Sequence, residues 1–340
     1  MDIRDIKDPT FLNTLSITEL EGLAKEIRSF LIASLSKTGG HLSSNLGIVE
    51  LTIALHYIFD SPKDKIFFDV GHQSYIHKIL TGRANAFDTL RKTDGLSGFQ
   101  KTCESEHDVW EAGHSSTALS AAVAMAVSRD LDHQSFDVIP VIGDAAMVGG
   151  PSLEALNHLG STNNKVIIIL NDNQMAIGKS VGGFGNFLGD LRLSKTYNNL
   201  KEEYRHLLSG GKIRNKIFQT TKRMKDFIKR GVIKKSIFSE FGIEYLGPVD
   251  GHDFDELFRV LQLAKDSTES VVVHIVTTKG KGYDCAETDA CGKWHGIAPF
   301  DISTGKSLIT EKDGYISWSK YISNHVEKHM HEDRNIVAIT

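Results

Sequence analysis

The sequence predicts an α/β protein built on a doubly wound, mostly parallel sheet with helices on both faces. The first observation is a set of short segments that are continuously apolar instead of alternating, which is typical of strands buried on both faces of a parallel sheet. The second is that stretches with helical spacing lie between them, the alternation expected of βαβ units. The predicted strands are residues 66–70, 138–142, 166–170 and 271–276.

The first helix has the clearest start and stop signals. Ser16 and Glu19 match a capping box, and apolar residues keep helical spacing from there until Gly39 and Gly40, which end the helix. Further helices are predicted at residues 115–130, 152–159 and 253–265. The first of these three is rich in alanine, which indicates tight packing against the sheet.

The composition excludes several classes of protein. With 340 residues, 40% of them hydrophobic and 24% charged, the chain is neither disordered nor fibrous. No apolar run approaches the roughly 18–20 residues of a membrane span, and the N-terminus has no apolar signal segment. Three cysteines without a Cys-x-x-Cys pair argue against a disulfide framework and a structural zinc site. We therefore predict a cytoplasmic protein with reduced thiols and no membrane contact.

A basic segment stands out in an otherwise acidic chain. Residues 195–235 hold 13 Lys or Arg and three Asp or Glu, and a glycine-rich stretch at residues 178–189 precedes them. We interpret residues 180–240 as a long mobile insertion with some helix. A solvated basic surface is the simplest interpretation of the charge, and no nucleic-acid-binding fold accompanies it, so no nucleic-acid partner is predicted.

Polar, mostly glycine-containing clusters follow the four predicted strands. In parallel sheets the carboxyl ends of the strands share one edge, where ligands bind in a crevice. We expect all four clusters to meet at one site. They are residues 71–73, 143–145, 171–173 and 277–283.

Two of these clusters suggest a metal bound to a diphosphate. Asp144 follows one strand, and Asn173 follows the next with 27 residues (146–172) between it and Ala145. Two oxygen-bearing side chains on neighbouring strand tips suit Mg²⁺, which takes its remaining ligands from phosphate oxygens and water. A helix beginning near Pro151 would direct its amides toward the phosphate. The alternative is that both residues are ordinary turn caps.

Several separated sequence blocks carry a family resemblance that spans residues 15–340. The sequence resembles thiamine diphosphate-dependent enzymes of the transketolase-like superfamily, whose signature is Gly-Asp-Gly followed some 25–30 residues later by Asn. Within them it is most similar to the N-terminal half of 1-deoxy-D-xylulose-5-phosphate synthases. The blocks are residues 40–52, 69–83, 113–117, 143–146, 170–173, 247–253, 281–283 and 294–296.

The resemblance implies a set of site residues. Mg²⁺ would be held by the Asp144 and Asn173 side chains and the main-chain oxygen of Met175. His41 and His295 would lie beside the reacting carbon as catalytic residues. Thiamine diphosphate would contact His72, Gly113, His114, Ser115, Asp144, Ala145, Ala146, Asn173 and Tyr283.

The resemblance also implies an activity and a domain division. The family joins pyruvate, with loss of carbon dioxide, to glyceraldehyde 3-phosphate, as a homodimer that supplies isoprenoid, thiamine and pyridoxal biosynthesis. Residues 1–318 would form the diphosphate-binding domain, and residues 319–340 the linker and first strand of a pyrimidine-binding domain. The catalytic Glu of that second domain has no counterpart here, so we expect the chain to be inactive alone. The alternatives are one subunit of a split transketolase-like enzyme and a non-catalytic truncated binding protein.

One residue departs from the family signature. Ala145 stands where the second glycine is usual. If the loop requires a left-handed backbone there, alanine would weaken cofactor binding.

Overall fold

The computed structural model describes residues 2–173, 182–193, 236–309 and 314–338. Its sheet has five strands in the order β1-β2-β3-β5-β4, and every neighbouring pair is parallel. The predicted fold class is confirmed, and each of the four predicted strands is present. The strands are β1 (Lys65–Phe68), β2 (Val138–Gly143), β3 (Ile167–Asp172), β4 (Glu244–Asp250) and β5 (Val271–Val276).

Strand β4 is the one the sequence patterns did not predict. It contains Gly247 and Pro248, a pair that in sequence reads as a turn. The strand lies at the edge of the sheet, where a proline without an N–H group is tolerated. Its pairing with β5 shifts register between Leu246 and Val249, so the irregular pair fits without breaking the strand.

The helices agree with the predicted ones to within a few residues. Ser16 and Glu19 form the capping box, and the first helix ends before Gly39, whose φ is 73°. The helices are α1 (Ile17–Thr38), α2 (Leu42–Leu46), α3 (Val49–Ile58), α4 (Tyr75–Lys78), α5 (Ala118–Leu131), α6 (Asp144–Met147), α7 (Gly150–Leu159), α8 (Gly183–Leu193), α9 (Ile237–Glu240), α10 (Phe254–Asp266), α11 (Asp284–Glu287) and α12 (Trp318–Glu332). Short 3₁₀ helices at Ile3–Asp5, Pro9–Thr14, Ala84–Thr89 and Lys293–His295, with one π turn at Ile79–Arg83, complete the set in the described residues.

Both faces of the sheet are covered, as the continuous apolar strands predict. Alternate β3 residues point to opposite faces: Ile167 and Ile169 join the core formed with α1, α3 and α10, and Ile168 and Leu170 join the core formed with α5, α7 and α8. Burying each such side chain is worth about 1.5–3 kcal/mol. These two cores hold the strand tips rigidly at the carboxyl edge of the sheet.

The predicted insertion is described only at its ends. Gly183–Leu193 and Ile237–Glu240 are helical, which confirms the helix content predicted there, and residues 194–235 lie outside the described residues. None of the helices that the structure describes is both long and apolar enough to span a membrane. Cys103, Cys285 and Cys291 are free thiols.

The last described residues belong to the segment 319–340, which was expected to hold the linker and first strand of a second domain. Residues 336–338 form no strand, and Ile336 and Val337 are exposed. The helix Trp318–Glu332 before them is exposed along its whole length. The division of the chain into domains at residue 318 stays a prediction.

Candidate active site

The loops that follow β1, β2, β3 and β5 lie at one edge of the sheet. These strands are adjacent and parallel, so their carboxyl ends meet as expected. Hydrogen bonds join neighbouring tips: Thr277 Oγ1, just after β5, donates to Asn171 Oδ1 of β3 over 2.7 Å. The short helix α2 packs over this edge, where the Gly280 amide donates to the Ser43 carbonyl oxygen over 2.8 Å.

Three histidines form a compact cluster at this edge. The ring centroids of His41 and His72 are 5.3 Å apart, those of His41 and His295 are 5.6 Å apart, and those of His72 and His295 are 5.2 Å apart. Residues from three distant parts of the sequence therefore meet. The cluster unites the two histidines predicted as catalytic with one predicted to bind the cofactor.

All three imidazoles are neutral at pH 7. Burial, reinforced by the neighbouring His295, lowers the pKa of His41 to about 4. Burial, with the neighbouring histidines and Lys279, lowers the pKa of His72 to about 3. Burial and Lys279 also lower the pKa of His295. Neutral imidazoles can both donate and accept hydrogen bonds, as proton transfer at a reacting centre requires.

Asn45 bridges the main chains of two of the three histidines. Its Nδ2 donates to the carbonyl oxygens of His41 and His72 over 2.7 and 2.8 Å, and its Oδ1 accepts the Tyr75 amide over 2.9 Å. The side chain is fully buried. Asn45 lies in the Gly-His-Leu-Ser-Ser-Asn block, but sequence reasoning assigned it no role, because its partners are known only from the fold.

The predicted metal ligands lie on neighbouring strand tips. Gly143 of β2 pairs with Asn171 of β3, so Asp144 directly follows one residue of this pair and Asn173 lies two residues after the other. Asp144 is 6% exposed and begins the four-residue helix α6. Met175 lies outside the described residues.

Ala145 does not suffer the strain that the sequence raised as a concern. It lies inside the helix Asp144–Met147 and is not among the residues with positive φ. A right-handed helical backbone accepts alanine without cost. The condition under which alanine would weaken binding, a left-handed backbone at this position, is therefore not met in the structure.

The predicted segment Gly113–Ser115 is tied to this edge through its neighbour Ser116. The Asp69 carboxylate, at the end of β1, accepts the amides of Ser116, Thr117 and Ala118. Ser152 Oγ lies 3.2 Å from the Ser116 carbonyl oxygen and 3.0 Å from that of Ala146, which links this loop to the one after β2. Gly113, His114 and Ser115 themselves are exposed.

Two of the predicted cofactor-binding side chains make mainly local contacts. His114 Nδ1 lies 2.8 Å from the carbonyl oxygen of Ser115, a contact that does not involve the histidine cluster. Tyr283 Oη donates to the Ile302 carbonyl oxygen over 2.8 Å, and its ring packs edge-on against Trp294, next to His295. Burial and the Cys285 thiol raise the pKa of Tyr283 to about 12.

Comparison with known proteins identifies the family of this chain. A family model described as 1-deoxy-D-xylulose-5-phosphate synthase matches residues 3–277. The 1-deoxy-D-xylulose-5-phosphate synthases of Bacillus cereus strain AH187 and Bacillus anthracis are 52% identical over 341 residues, covering all of this chain and 54% of theirs. This chain belongs to the 1-deoxy-D-xylulose-5-phosphate synthase family. It spans about half the length of these curated relatives.

Solved structures agree on the fold of this synthase-family chain. Transketolase from Campylobacter jejuni aligns with a TM-score of 0.57 at 21% identity, covering 83% of this chain and 41% of the other. Transketolase from Leishmania mexicana aligns with a TM-score of 0.58 at 16% identity, covering 93% and 48%. At these identities the likeness shows that this chain shares the fold of the aligned part of transketolase.

One charged residue of the synthase-family site was missed by sequence reasoning. Lys279 follows β5 and is 9% exposed, and its charge acts on both His72 and His295. Burial lowers the pKa of Lys279, while Asp289 and Asp144 raise it. The only available signal was a lysine in the cluster after a buried strand, and lysines in such loops are usually solvated.

Proposed function

We propose that this chain is the thiamine diphosphate- and Mg²⁺-binding half of a 1-deoxy-D-xylulose-5-phosphate synthase. In this proposal the complete enzyme joins pyruvate, with decarboxylation, to glyceraldehyde 3-phosphate for isoprenoid and thiamine biosynthesis. The observation that carries it is the cluster of His41, His72 and His295, partly buried and neutral, at the edge where Asp144 and Asn173 follow neighbouring strands. Membership of the family supplies the reaction.

The residues at this edge fit an anionic cofactor. His72 Nδ1 is buried and has no hydrogen-bond partner among the described residues, a cost that a bound ligand would remove. Lys279 adds a positive charge to the same region. The diphosphate of a bound cofactor would supply hydrogen-bond acceptors and negative charge, which would complement His72 Nδ1 and Lys279.

The residues at the strand tips also fit Mg²⁺ bound together with a diphosphate. In the described part of the chain, no three His, Cys, Asp or Glu side chains form a metal cage. Mg²⁺ commonly uses one or two protein ligands together with phosphate oxygens and water. We propose Asp144 and Asn173 as those side-chain ligands, with the Met175 main-chain oxygen as a third protein ligand.

The remaining predicted contacts belong to the same proposal. Gly113, His114 and Ser115 would line the cofactor from the loop that Asp69 holds, and Ala145 and Ala146 would face the diphosphate from α6. Tyr283 would contact the cofactor from the loop after β5. Each is proposed on the resemblance and on its place at the carboxyl edge.

The side chains around the reacting centre would transfer protons and exclude water. When bound, thiamine diphosphate supplies the electron-accepting ring that makes decarboxylation of pyruvate possible. His41 Nδ1 lies 3.4 Å from Tyr75 Oη, and His295 Nδ1 lies 3.3 Å from Ser44 Oγ. With Nδ1 engaged on each ring, Nε2 is the atom that would donate or accept a proton at the substrate.

The second half of the enzyme is part of the proposal. We propose that the pyrimidine-binding half, on the same or a separate chain, supplies the Glu that the resemblance assigns to it and completes a homodimer in the cytoplasm. The exposed apolar side chains of Trp318, Tyr321 and Ile322 support a contact with a further polypeptide. A split transketolase-like enzyme remains the alternative.

Two experiments test the proposal in sequence. Calorimetry with thiamine diphosphate and Mg²⁺ should show binding by this chain, and thermal unfolding should shift upward as ligand is added. The chain is then mixed with the C-terminal half of a Bacillus relative, and decarboxylation of pyruvate is measured with glyceraldehyde 3-phosphate as acceptor. Absence of cofactor binding would favour the truncated binding protein. Binding with turnover only on a sugar-phosphate donor would favour the split transketolase.

A further inference from the structure

A chain of hydrogen bonds links Arg28 in α1 to the loop after β5. The Arg28 guanidinium donates to both oxygens of the Glu50 carboxylate, over 2.7 and 2.6 Å. His252 Nδ1 lies 3.0 Å from Glu50 Oε2, and the Thr278 amide donates to His252 Nε2 over 2.9 Å. Four segments far apart in sequence are joined in this way.

The donors and acceptors in this series of hydrogen bonds determine which atoms carry protons. Burial would raise the pKa of Glu50, but hydrogen bonds from His252 and Arg28 outweigh it and hold the pKa at about 2. An ionised carboxylate can only accept, so His252 Nδ1 carries the hydrogen. Nε2 faces an N–H group and must be the unprotonated nitrogen. His252 is thus a neutral imidazole held in one tautomer.

The loop after β5, which His252 contacts at Thr278, also contains Lys279. Two further contacts hold this loop. The Gly280 amide donates to the Ser43 carbonyl oxygen over 2.8 Å. A Cβ placed on Gly47 would lie 3.0 Å from the Thr278 carbonyl oxygen, so α2 packs closely against this turn. A displacement of Thr278 would therefore move Lys279 relative to His72 and His295.

We infer that His252 is a positioning residue of the cofactor site: it holds the Thr278 amide and thereby fixes Lys279, while Glu50 and Arg28 fix its own ring. The inference rests on the proposed function, because it concerns how the protein positions Lys279, whose charge is proposed to lie next to the diphosphate. His252 belongs to the Gly-Pro-Val-Asp-Gly-His-Asp block, which carries the family resemblance. Its contacts with Glu50 and Thr278 assign a positioning role to this histidine. Loss of a hydrogen bond that orients a metal-binding side chain costs about 10–100-fold in affinity or activity, and we expect an effect of that order for a bond that orients Lys279.

Two substitutions separate the effects of the two hydrogen bonds that the His252 ring makes. His252→Asn keeps a donor near the Nδ1 position for Glu50 but removes the acceptor for Thr278. His252→Gln places an amide oxygen near the Nε2 position and keeps that acceptor. We expect His252→Asn to speed amide hydrogen exchange in residues 277–283 without any cofactor and to weaken thiamine diphosphate binding at least tenfold. His252→Gln should retain most of both properties.

The matched control is His107→Asn. His107 also has a ring nitrogen hydrogen bonded to a neighbour, Ser61 Oγ at 2.9 Å, but it packs on a different segment. This variant should leave exchange in residues 277–283 and cofactor affinity within about twofold of the parent chain. Equal effects in the two asparagine variants would overturn the inference, since they would reflect only loss of stability.

A double-mutant cycle tests whether His252 acts through Lys279. If it does, adding His252→Asn to Lys279→Met should weaken cofactor binding little further, whereas independent effects would add. Additive losses would overturn the inference. Unchanged exchange in residues 277–283 of His252→Asn would overturn it as well, whatever the binding result. If the parent chain binds no cofactor, the proposed function fails, and the exchange comparison still decides whether His252 holds the loop.

Discussion

The Asp69 carboxylate accepts the main-chain amide of Ser116 over 2.8 Å. Asp69 directly follows β1, and Ser116 belongs to the loop that precedes α5. The same carboxylate accepts the amides of Thr117 and Ala118 over 3.0 Å, so it caps the helix while holding the loop. Ser116 has a φ of 71°, a conformation that a serine keeps only where its surroundings impose it.

Asp69→Asn should destabilise the fold and loosen this loop. The amide side chain offers one acceptor and turns an N–H group toward amide donors, which removes charge-assisted hydrogen bonds in a buried place. We expect the free energy of unfolding, measured in urea, to fall by about 2–3 kcal/mol. The control is Asp8→Asn, at the exposed cap of the 3₁₀ helix Pro9–Thr14, which should lose about 1 kcal/mol or less. Similar losses in both variants would contradict the role given to Asp69.

Asp144→Ala and Asp172→Ala should have opposite effects on binding and stability. Asp144 is a proposed Mg²⁺ ligand, so its loss should abolish Mg²⁺-dependent binding of thiamine diphosphate. Asp172 is fully buried, and its Oδ2 lies 2.9 Å from His274 Nε2, whose Nδ1 lies 2.7 Å from Tyr245 Oη. Asp172→Ala should therefore cost about 3 kcal/mol of stability while cofactor affinity, measured by calorimetry at 10 °C, stays within about tenfold. Equal loss of binding in both variants would show that the metal ligand is misassigned.

Ala145→Gly should leave cofactor affinity unchanged within about twofold. The helical backbone at this position gains nothing from glycine, and the main-chain amide is present in both residues. Stability should fall by about 0.5–1 kcal/mol, the usual cost of glycine in a helix. Calorimetry and thermal unfolding of the two proteins check this. A clear rise in affinity on restoring the glycine would mean that the loop changes conformation when the cofactor binds.

Stability should fall as the pH drops from about 6.5 to 5. The pKa of His41 is lowered from 6.5 to about 4 and that of His72 to about 3 by burial, so in this range the unfolded chain binds protons that the folded chain does not. Their contribution is fully present above pH 6.5 and is lost as the pH falls toward the folded values. Each should account for about 1–2 kcal/mol between pH 6.5 and 5.

The variant His72→Gln isolates one of these contributions. Its free energy of unfolding, measured in urea at pH 5, 6 and 7, should depend on pH less steeply than that of the parent chain. His158→Gln, at an exposed position, should keep the parent slope. An unchanged slope in His72→Gln would show that this imidazole is not buried in its neutral form.

Local patterns were sufficient for most of the sheet and for the long helices. The strand Ile167–Asp172 and the helix Ile17–Thr38 follow from continuous apolar residues and from a capping box, signals that lie within a few residues of one another. The strand Glu244–Asp250 escaped prediction because Gly247 and Pro248 are acceptable only at an edge. Whether a strand is an edge strand is a property of the assembled sheet.

Sequence patterns were enough to predict the α/β class, the placement of polar clusters at strand ends, and the family. The folded structure was needed to show that His41, His72 and His295 form one neutral cluster, that Asn45 and Asp69 bind the loops around it, and that Ala145 is helical. The reason is physical: periodicity and capping act between near neighbours in the chain. The protonation of a buried imidazole and the partners of a buried carboxylate depend on groups brought together from distant segments by folding.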